Sequence, residues 1–204
     1  MKRVVLFLVC MMAFATNAQE KKGGFAAEIG MGAAHYGNYP SVSVFADPTD
    51  NYRLIASEQI AVGYHGPKGW FAGLSLGCDG GNTAFLNRNE RFSNYNIMLE
   101  IRDYFKLNER LEIEAGVAFG LLVHNNRFEY ANELFSFTRL GACGHLSTGL
   151  NYKFKENHYI GIRAIFPRYG LLLDNKPNLP MGLEANDKTQ SVGYSLQLIY
   201  GIRF

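Results

Sequence analysis

Apolar and polar residues alternate along most of this chain. The period is two, as in a strand with one oily and one polar face. It is plainest from Leu111, where Leu111, Ile113, Ala115, Val117, Phe119, Leu121 and Val123 alternate with Glu112, Glu114, Gly116, Ala118, Gly120 and Leu122 before His124. The pattern predicts eight strands, over about 24–36, 52–65, 69–78, 93–105, 111–124, 137–154, 159–167 and 191–204. Short stretches join some of them: "HGPKG" (65–69), "KLNER" (106–110) and "KENH" (155–158) carry the Gly, Pro, Asn and charges of hairpin turns. The stretches 37–51, 79–92, 125–136 and 168–188 are long. In an antiparallel arrangement all short turns then fall on one side and all four long loops on the other.

Which face meets which solvent follows from the residues opposite the apolar ones. Those faces are rich in Gly, Ala and Ser with scattered single charges, which is unusual for a surface in water. They suit a narrow interior, with the apolar faces turned to lipid. A strand in hydrocarbon must pair every backbone N–H and C=O, and only closure removes the open edges. The expected fold is therefore all-β: an eight-stranded antiparallel up-and-down transmembrane β-barrel with short periplasmic turns and long extracellular loops. A soluble barrel with the apolar faces inward is the rival.

Aromatic residues gather at strand ends, as interfacial girdles require. Tyr64, Trp70, Phe105, Tyr152, Phe154, Tyr159 and Phe204 lie by the short turns. Tyr36, Tyr52, Phe92, Tyr95, Phe137 and Phe166 lie by the long loops. One residue resists the pattern: Glu58 falls among Leu54, Ala56, Ile60, Val62 and Tyr64. It either sits high near the loop rim or is turned inward by a bulge.

The front of the chain reads as an address. Lys2 and Arg3 precede an apolar run from Val4 to Ala15, and Thr16-Asn17-Ala18 offers small residues for cleavage. Residues 1–18 are read as a signal peptide and 19–204 as one barrel domain. The chain carries 20 Lys+Arg and 18 Asp+Glu. Losing Lys2 and Arg3 brings the two to parity, so the slight basic balance gives no support for nucleic-acid binding. Cys78 and Cys143 remain and are expected to be free thiols.

With these strands placed, the chain resembles the small eight-stranded outer-membrane barrels of the OmpA/OmpX type. The resemblance spans residues 19–204. It rests on the signal peptide, the alternation of short turns and long loops, and the ending Tyr194-x-Leu196-x-Leu198-x-Tyr200-x-Ile202-x-Phe204. It implies residence in the outer membrane of a Gram-negative bacterium as a monomer. It also implies contact with outer-membrane lipid, and that Tyr200, Ile202 and Phe204 form the signal read by the barrel-assembly machinery.

The interior faces carry the candidate chemistry. Glu28, Arg102, Glu112, Glu114, Lys153, Arg163 and Arg203 are expected to form an internal charge plug, because eight strands leave room only for side chains and an unpaired interior charge is costly. Simple pairing across "KLNER" puts Arg102 opposite Glu114 and Tyr104 opposite Glu112, with Glu28 towards Arg203. A narrow channel past these charges is the alternative. His145 and Ser147 share one face of a strand, similar to the His-x-Ser pair of PagL-type lipid A deacylases. Thr148-Gly149 depart from the Asn-Ala-Gly run that follows there, and the parity points both residues inward, away from a lipid substrate. The five histidines show no metal-ligand spacing, and neither metal nor cofactor is expected. Tyr39, Phe45, Leu171–Leu173 and Met181 in the loops are candidates for an extracellular partner.

Overall fold

A computed structural model describes residues 23–36, 42–43, 55–85, 88–130, 133–172, 184–185 and 190–204. Eight strands close a barrel: β1 (Gly24–Tyr36), β2 (Ile55–His65), β3 (Trp70–Phe85), β4 (Arg88–Lys106), β5 (Leu111–Tyr130), β6 (Glu133–Lys155), β7 (His158–Leu172) and β8 (Gln190–Arg203). Each pairs antiparallel with its neighbours in chain order, and β1 pairs with β8 to close the ring. The seam runs from Ala26 opposite Arg203 to Tyr36 opposite Gly193. The Phe204 amide extends it by donating to the Phe25 carbonyl at 2.7 Å.

The short turns follow their sequences. Gly69 takes φ 82°, a backbone that side chains disfavour. Its amide donates to Gly66 O, and its carbonyl accepts from Tyr104 N. In the next turn, Asn108 Oδ1 accepts from the amides of Arg110 and Leu111, both at 2.8 Å. On the far side, two predicted loops are instead ladder. Strands β3 and β4 stay paired up to Phe85 opposite Arg88, and β5 and β6 up to Tyr130 opposite Glu133. The polar residues of 79–92 and 125–136 read as loop because the strand leaves the membrane there and no longer needs an apolar face. The other two long stretches lie mostly outside the described residues. They meet in a two-residue ladder, with Val42 opposite Ala185 and Ser43 opposite Glu184.

Strand β7 also runs past its predicted end. Between Ile165 and Arg168 the register shifts against both neighbours, so three steps on β7 match two on β6 and on β8. Pro167 lies inside this bulge. Proline has no N–H for the ladder and is accommodated where pairing is already broken. The extra residue flips the parity beyond it. Arg168 and Leu172 point into the barrel, while Leu171 is exposed. Leu171 and Leu172 therefore belong to the wall rather than to a loop.

The apolar faces point outward. Phe25 is 72 % exposed, Leu198 68 % and Leu121 67 %, and the band of Leu, Ile, Val and Phe continues on every strand. The buried residues inside are largely charged or polar. An inside-out distribution of this kind fits hydrocarbon as the outer solvent and rules out the soluble rival. Tyr64, Trp70, Phe105, Tyr152 and Phe154 form the lower girdle, all at least 36 % exposed. Tyr159, assigned to that girdle by sequence, is instead buried in the lumen. At the upper end Tyr95, Phe166 and Tyr194 face out, whereas Tyr36 and Phe92 are buried inside with Ala34 and Ile55. Their positions have the interior parity, and position near a loop alone misassigned them. Tyr52 lies outside the described residues.

Glu58 faces out. The β2 register is unbroken on both sides, with Glu58 opposite Met31 and opposite Cys78, so no bulge turns it inward. It lies six residues above the girdle residue Tyr64, roughly 15 Å at a strand rise of about 3.3 Å and a tilt of about 40°. That places it within the apolar band, above its middle, rather than at the rim. Cys78 is on this outer face and Cys143 on the inner one, and both are free.

The lipid-facing assignment is testable by unfolding titration in lipid vesicles. Leu198→Arg is expected to cost about 2–4 kcal/mol, as a cation near the midplane of a barrel does. Glu58→Leu is expected to stabilise the barrel by about 1 kcal/mol, since a lipid-facing carboxylate costs less than an arginine. A neutral Leu198→Arg would mean that the face meets water.

Candidate functional site

The lumen is filled by three tiers of ionic and polar contacts. In the central tier, Glu28 on β1 receives Arg102 from β4 across the barrel, with Nη1 at 2.7 and 2.6 Å from its two oxygens. Arg163 Nη2 on β7 donates to Glu28 Oε2 at 2.8 Å and to Glu114 Oε2 on β5 at 3.1 Å. Arg163 Nε also donates to Glu114. Tyr104 and Tyr159 hydroxyls donate to Glu28, and Asn151 Nδ2 donates to Glu114 at 2.9 Å. Glu100 lies 3.2 Å from Arg102 Nε and accepts from Gln59. The Arg102 guanidinium stacks 4.2 Å from the centre of the Phe71 ring.

The lower tier joins Glu112 to Lys153 at 2.5 Å and to Arg203 at 2.6 Å. Arg203 lies over the Tyr104 and Tyr159 rings at 4.4 and 4.6 Å. The upper tier pairs Arg168 with Asp79 at 2.6 Å, and Tyr36 donates to the same Asp79 oxygen at 2.8 Å. Ser57 Oγ accepts from Arg168 and from Gln197. Across these tiers Glu28, Asp79, Glu100, Glu112 and Glu114 are matched by Arg102, Lys153, Arg163, Arg168 and Arg203. Within these tiers charge is balanced, as a low-dielectric interior demands; Arg139 is a further buried cation on β6.

Glycines make room for this network. A Cβ on Gly116 would sit 2.3 Å from Arg102 Cγ, and one on Gly201 2.2 Å from the Tyr159 ring. The small residues of the inner faces are thus the counterpart of the long ones.

All seven charges expected in the plug point inward and take part. Two details of the pairing differ. The register sets Arg102 opposite Gly116, Tyr104 opposite Glu114 and Lys106 opposite Glu112. The pairing is centred one residue later than assumed, because Lys106 stays on the ladder opposite Glu112 and Leu107–Arg110 form the turn. Arg102 still reaches Glu114, diagonally, at 3.5 Å. Glu28 is opposite Gly201, and its partners are Arg102 and Arg163; Arg203 goes to Glu112. Sequence reasoning left Glu100 out of the plug and missed Asp79 and Arg168, which it placed in loops. The Pro in "FPR" was the available signal for a bulge.

His145 and Ser147 both face the lumen and are buried, with no hydrogen bond between them. His145 lines a small upper cavity with Asp79, Asn96, Cys143 and Arg168, of about 20 Å³, room for a water. A nucleophile and base need hydrogen-bond reach and a path to substrate; this pair has neither towards lipid. Among the described residues no cluster of three His, Cys, Asp or Glu side chains could hold a metal. Of the ending signal, Tyr200 faces outward and bonds His158 Nδ1 at 2.8 Å, and Ile202 lies beside the seam. Of the loop residues, Tyr39, Phe45, Leu173 and Met181 lie outside the described residues.

The chain has the fold of the small eight-stranded outer-membrane β-barrels of the OmpA/OmpX type. Neisserial surface protein A superposes at a TM-score of 0.58 with 15% identity, over 89% of this chain and 97% of that one. Ail of Yersinia pestis, the attachment invasion locus protein, solved with the heparin analogue sucrose octasulfate, superposes at 0.55 with 14% identity, over 90% and 99%. No family model and no curated relative matches. At such identities the likeness is one of fold.

The plug predicts coupled energetics. Arg163→Met is expected to destabilise the barrel by about 3–5 kcal/mol, because it strands Glu28 and Glu114 in the lumen. Adding Glu114→Gln is expected to recover part of that loss, with a coupling of about 0.5–3 kcal/mol in a double-mutant cycle. Strict additivity in urea titrations would show that the two groups do not act as a pair.

Proposed function

We propose that this chain is a small non-enzymatic barrel of the Gram-negative outer membrane, acting in surface interaction through the strands and loops it holds above the bilayer. The observation that carries the reading is the division between a filled lumen and a tall outer rim. The lumen is crossed at three levels by ion pairs, with Phe71 and Tyr104 packed between the central and lower tiers and Tyr36 and Phe92 buried at the upper end. Neither a water path nor an open active site fits this interior. By contrast, β5 continues seven residues beyond Val123, the last apolar outward residue in its band, to Tyr130. At about 3.3 Å per residue that is roughly 23 Å of strand outside the hydrocarbon. A purely structural barrel has no need of it.

Ail, with a similar fold, is described by its attachment role and binds a sulfated ligand analogue, which supports an exposed-rim function here. In this reading the protein is exported by a cleaved signal peptide, inserted by the barrel-assembly machinery, and works as a monomer in contact with outer-membrane lipid.

The test pairs two measurements on the full mature chain. In planar bilayers the reconstituted protein is expected to show no discrete conductance. Displayed on a host bacterium, it is expected to raise adhesion to immobilised matrix proteins and glycans. A variant with residues 126–137 replaced by a two-residue turn should fold, show heat-modifiable gel migration, and lose that adhesion. Discrete channels, or undiminished adhesion by the shortened variant, would overturn the proposal.

A further inference from the structure

Just above the apolar band, two arginines face each other on the outer wall. Arg91 on β4 is directly opposite Arg127 on β5, and Arg127 is opposite Ser136 on β6. Both arginines are exposed, and neither has an ion-pair partner among the described residues. Directly opposed like charges on a ladder, with Cβ atoms about 5 Å apart, destabilise the pair unless something sits between them. The sheet elsewhere avoids this: inside the barrel every charge in the three tiers meets its opposite.

The surroundings specify what that something is. One row towards the membrane lie Ser93, Asn125 and Thr138, opposite one another in register, with Thr138 Oγ1 donating to Asn125 Oδ1 at 2.8 Å. One row further down are Tyr95, Val123 and Leu140, which face lipid. Among the described residues the nearest carboxylate on this face is Glu129, two residues beyond Arg127 and on the side away from the membrane. The arrangement thus offers two guanidinium forks over a shelf of hydroxyl and amide groups, open sideways to the lipid and closed to anions from above by Glu129. Arg91 is four residues above Tyr95, roughly 10 Å in height. That is the level of lipid headgroups rather than of free solvent.

We infer that Arg91 and Arg127, with the Ser93–Asn125–Thr138 shelf, bind the phosphate of an outer-leaflet phosphoglycolipid. Guanidinium groups bind phosphate bidentately, and a phosphate between them would convert their repulsion into two charge-assisted contacts. Bound lipid would stiffen the base of the β4–β5–β6 hairpins, from which the exposed rim rises. The inference rests on the outer-membrane reading.

The test is native mass spectrometry of the refolded mature chain in detergent, titrated with lipid A carrying two phosphates and with its dephosphorylated form. Heat-modifiable gel migration of the same sample reports the barrel itself, so a chain that fails to fold in detergent is distinguished from a folded chain that fails to bind. The phosphorylated lipid is expected to be retained preferentially. Arg91→Gln with Arg127→Gln should weaken retention roughly tenfold, while the charge control Lys68→Gln with Arg110→Gln, on the opposite rim, should not. Equal retention by the arginine variant and the wild type would overturn the site. Full displacement of the lipid by soluble sucrose octasulfate, with that ligand bound more tightly than lipid A, would overturn the lipid assignment and make the pair a site for soluble polyanions.

Discussion

The Glu28–Arg102–Arg163–Glu114 cluster is the contact on which the rest of this barrel is built. It ties β1 to β4 and β7, and β7 to β5, each pair separated by at least one strand in the ring. Backbone hydrogen bonds join each strand only to the next, and a lipid-facing apolar band fixes parity but does not distinguish registers two residues apart. Charges that meet in the middle do. A register slip of one residue would turn these side chains into hydrocarbon, at a cost of several kcal/mol per stranded ion. The cluster therefore fixes strand order, shear and the closed lumen together, whatever its own net contribution to stability.

Its geometry also explains the composition of the inner wall. Two arginines and three glutamates cannot share one tier of an eight-stranded barrel unless other positions there are nearly empty. Gly116 makes room for Arg102, and Gly201 for Tyr159. Phe71 and Tyr104 then seal the cluster from below. Ion pairs of the central tier thus lie in a low-dielectric layer between aromatic residues, which strengthens them and removes a continuous aqueous path at the same time.

Much of this was legible in the alternation of residues. Period two placed all seven plug charges inside and the Leu, Ile and Phe band outside. It did so because parity is the one quantity that survives errors in strand ends. What it missed follows from where parity fails or carries no weight. Arg168 needed the bulge at Pro167, a one-residue slip that sequence alternation cannot count. Asp79 was left in a loop because the ladder there is leaving lipid, and a strand with polar residues on both faces has no signature. Partner choice was the other gap. Arg203 and Arg102 are both long cations on the inner wall, and which of them reaches Glu28 depends on height within the barrel, set by turn length and shear rather than by local sequence.

A filled interior also decides where specificity resides. Inside, each charge of the three tiers is committed to a partner on another strand, so a change there is felt as stability and not as recognition. Outside, the apolar band carries two outward carboxylates: Asp103 beside the lower girdle residue Phe105, and Glu58 higher up between Met31 and Cys78, neither with an ion-pair partner among the described residues. Beyond the apolar band, charges of both signs appear on the outer wall without an internal task, above it at Arg91, Arg127 and Glu129. The strands there are already rigidly registered by the plug beneath them. Side chains at the rim are held at fixed spacing without having to contribute to folding, which is the condition under which a surface can bind a partner.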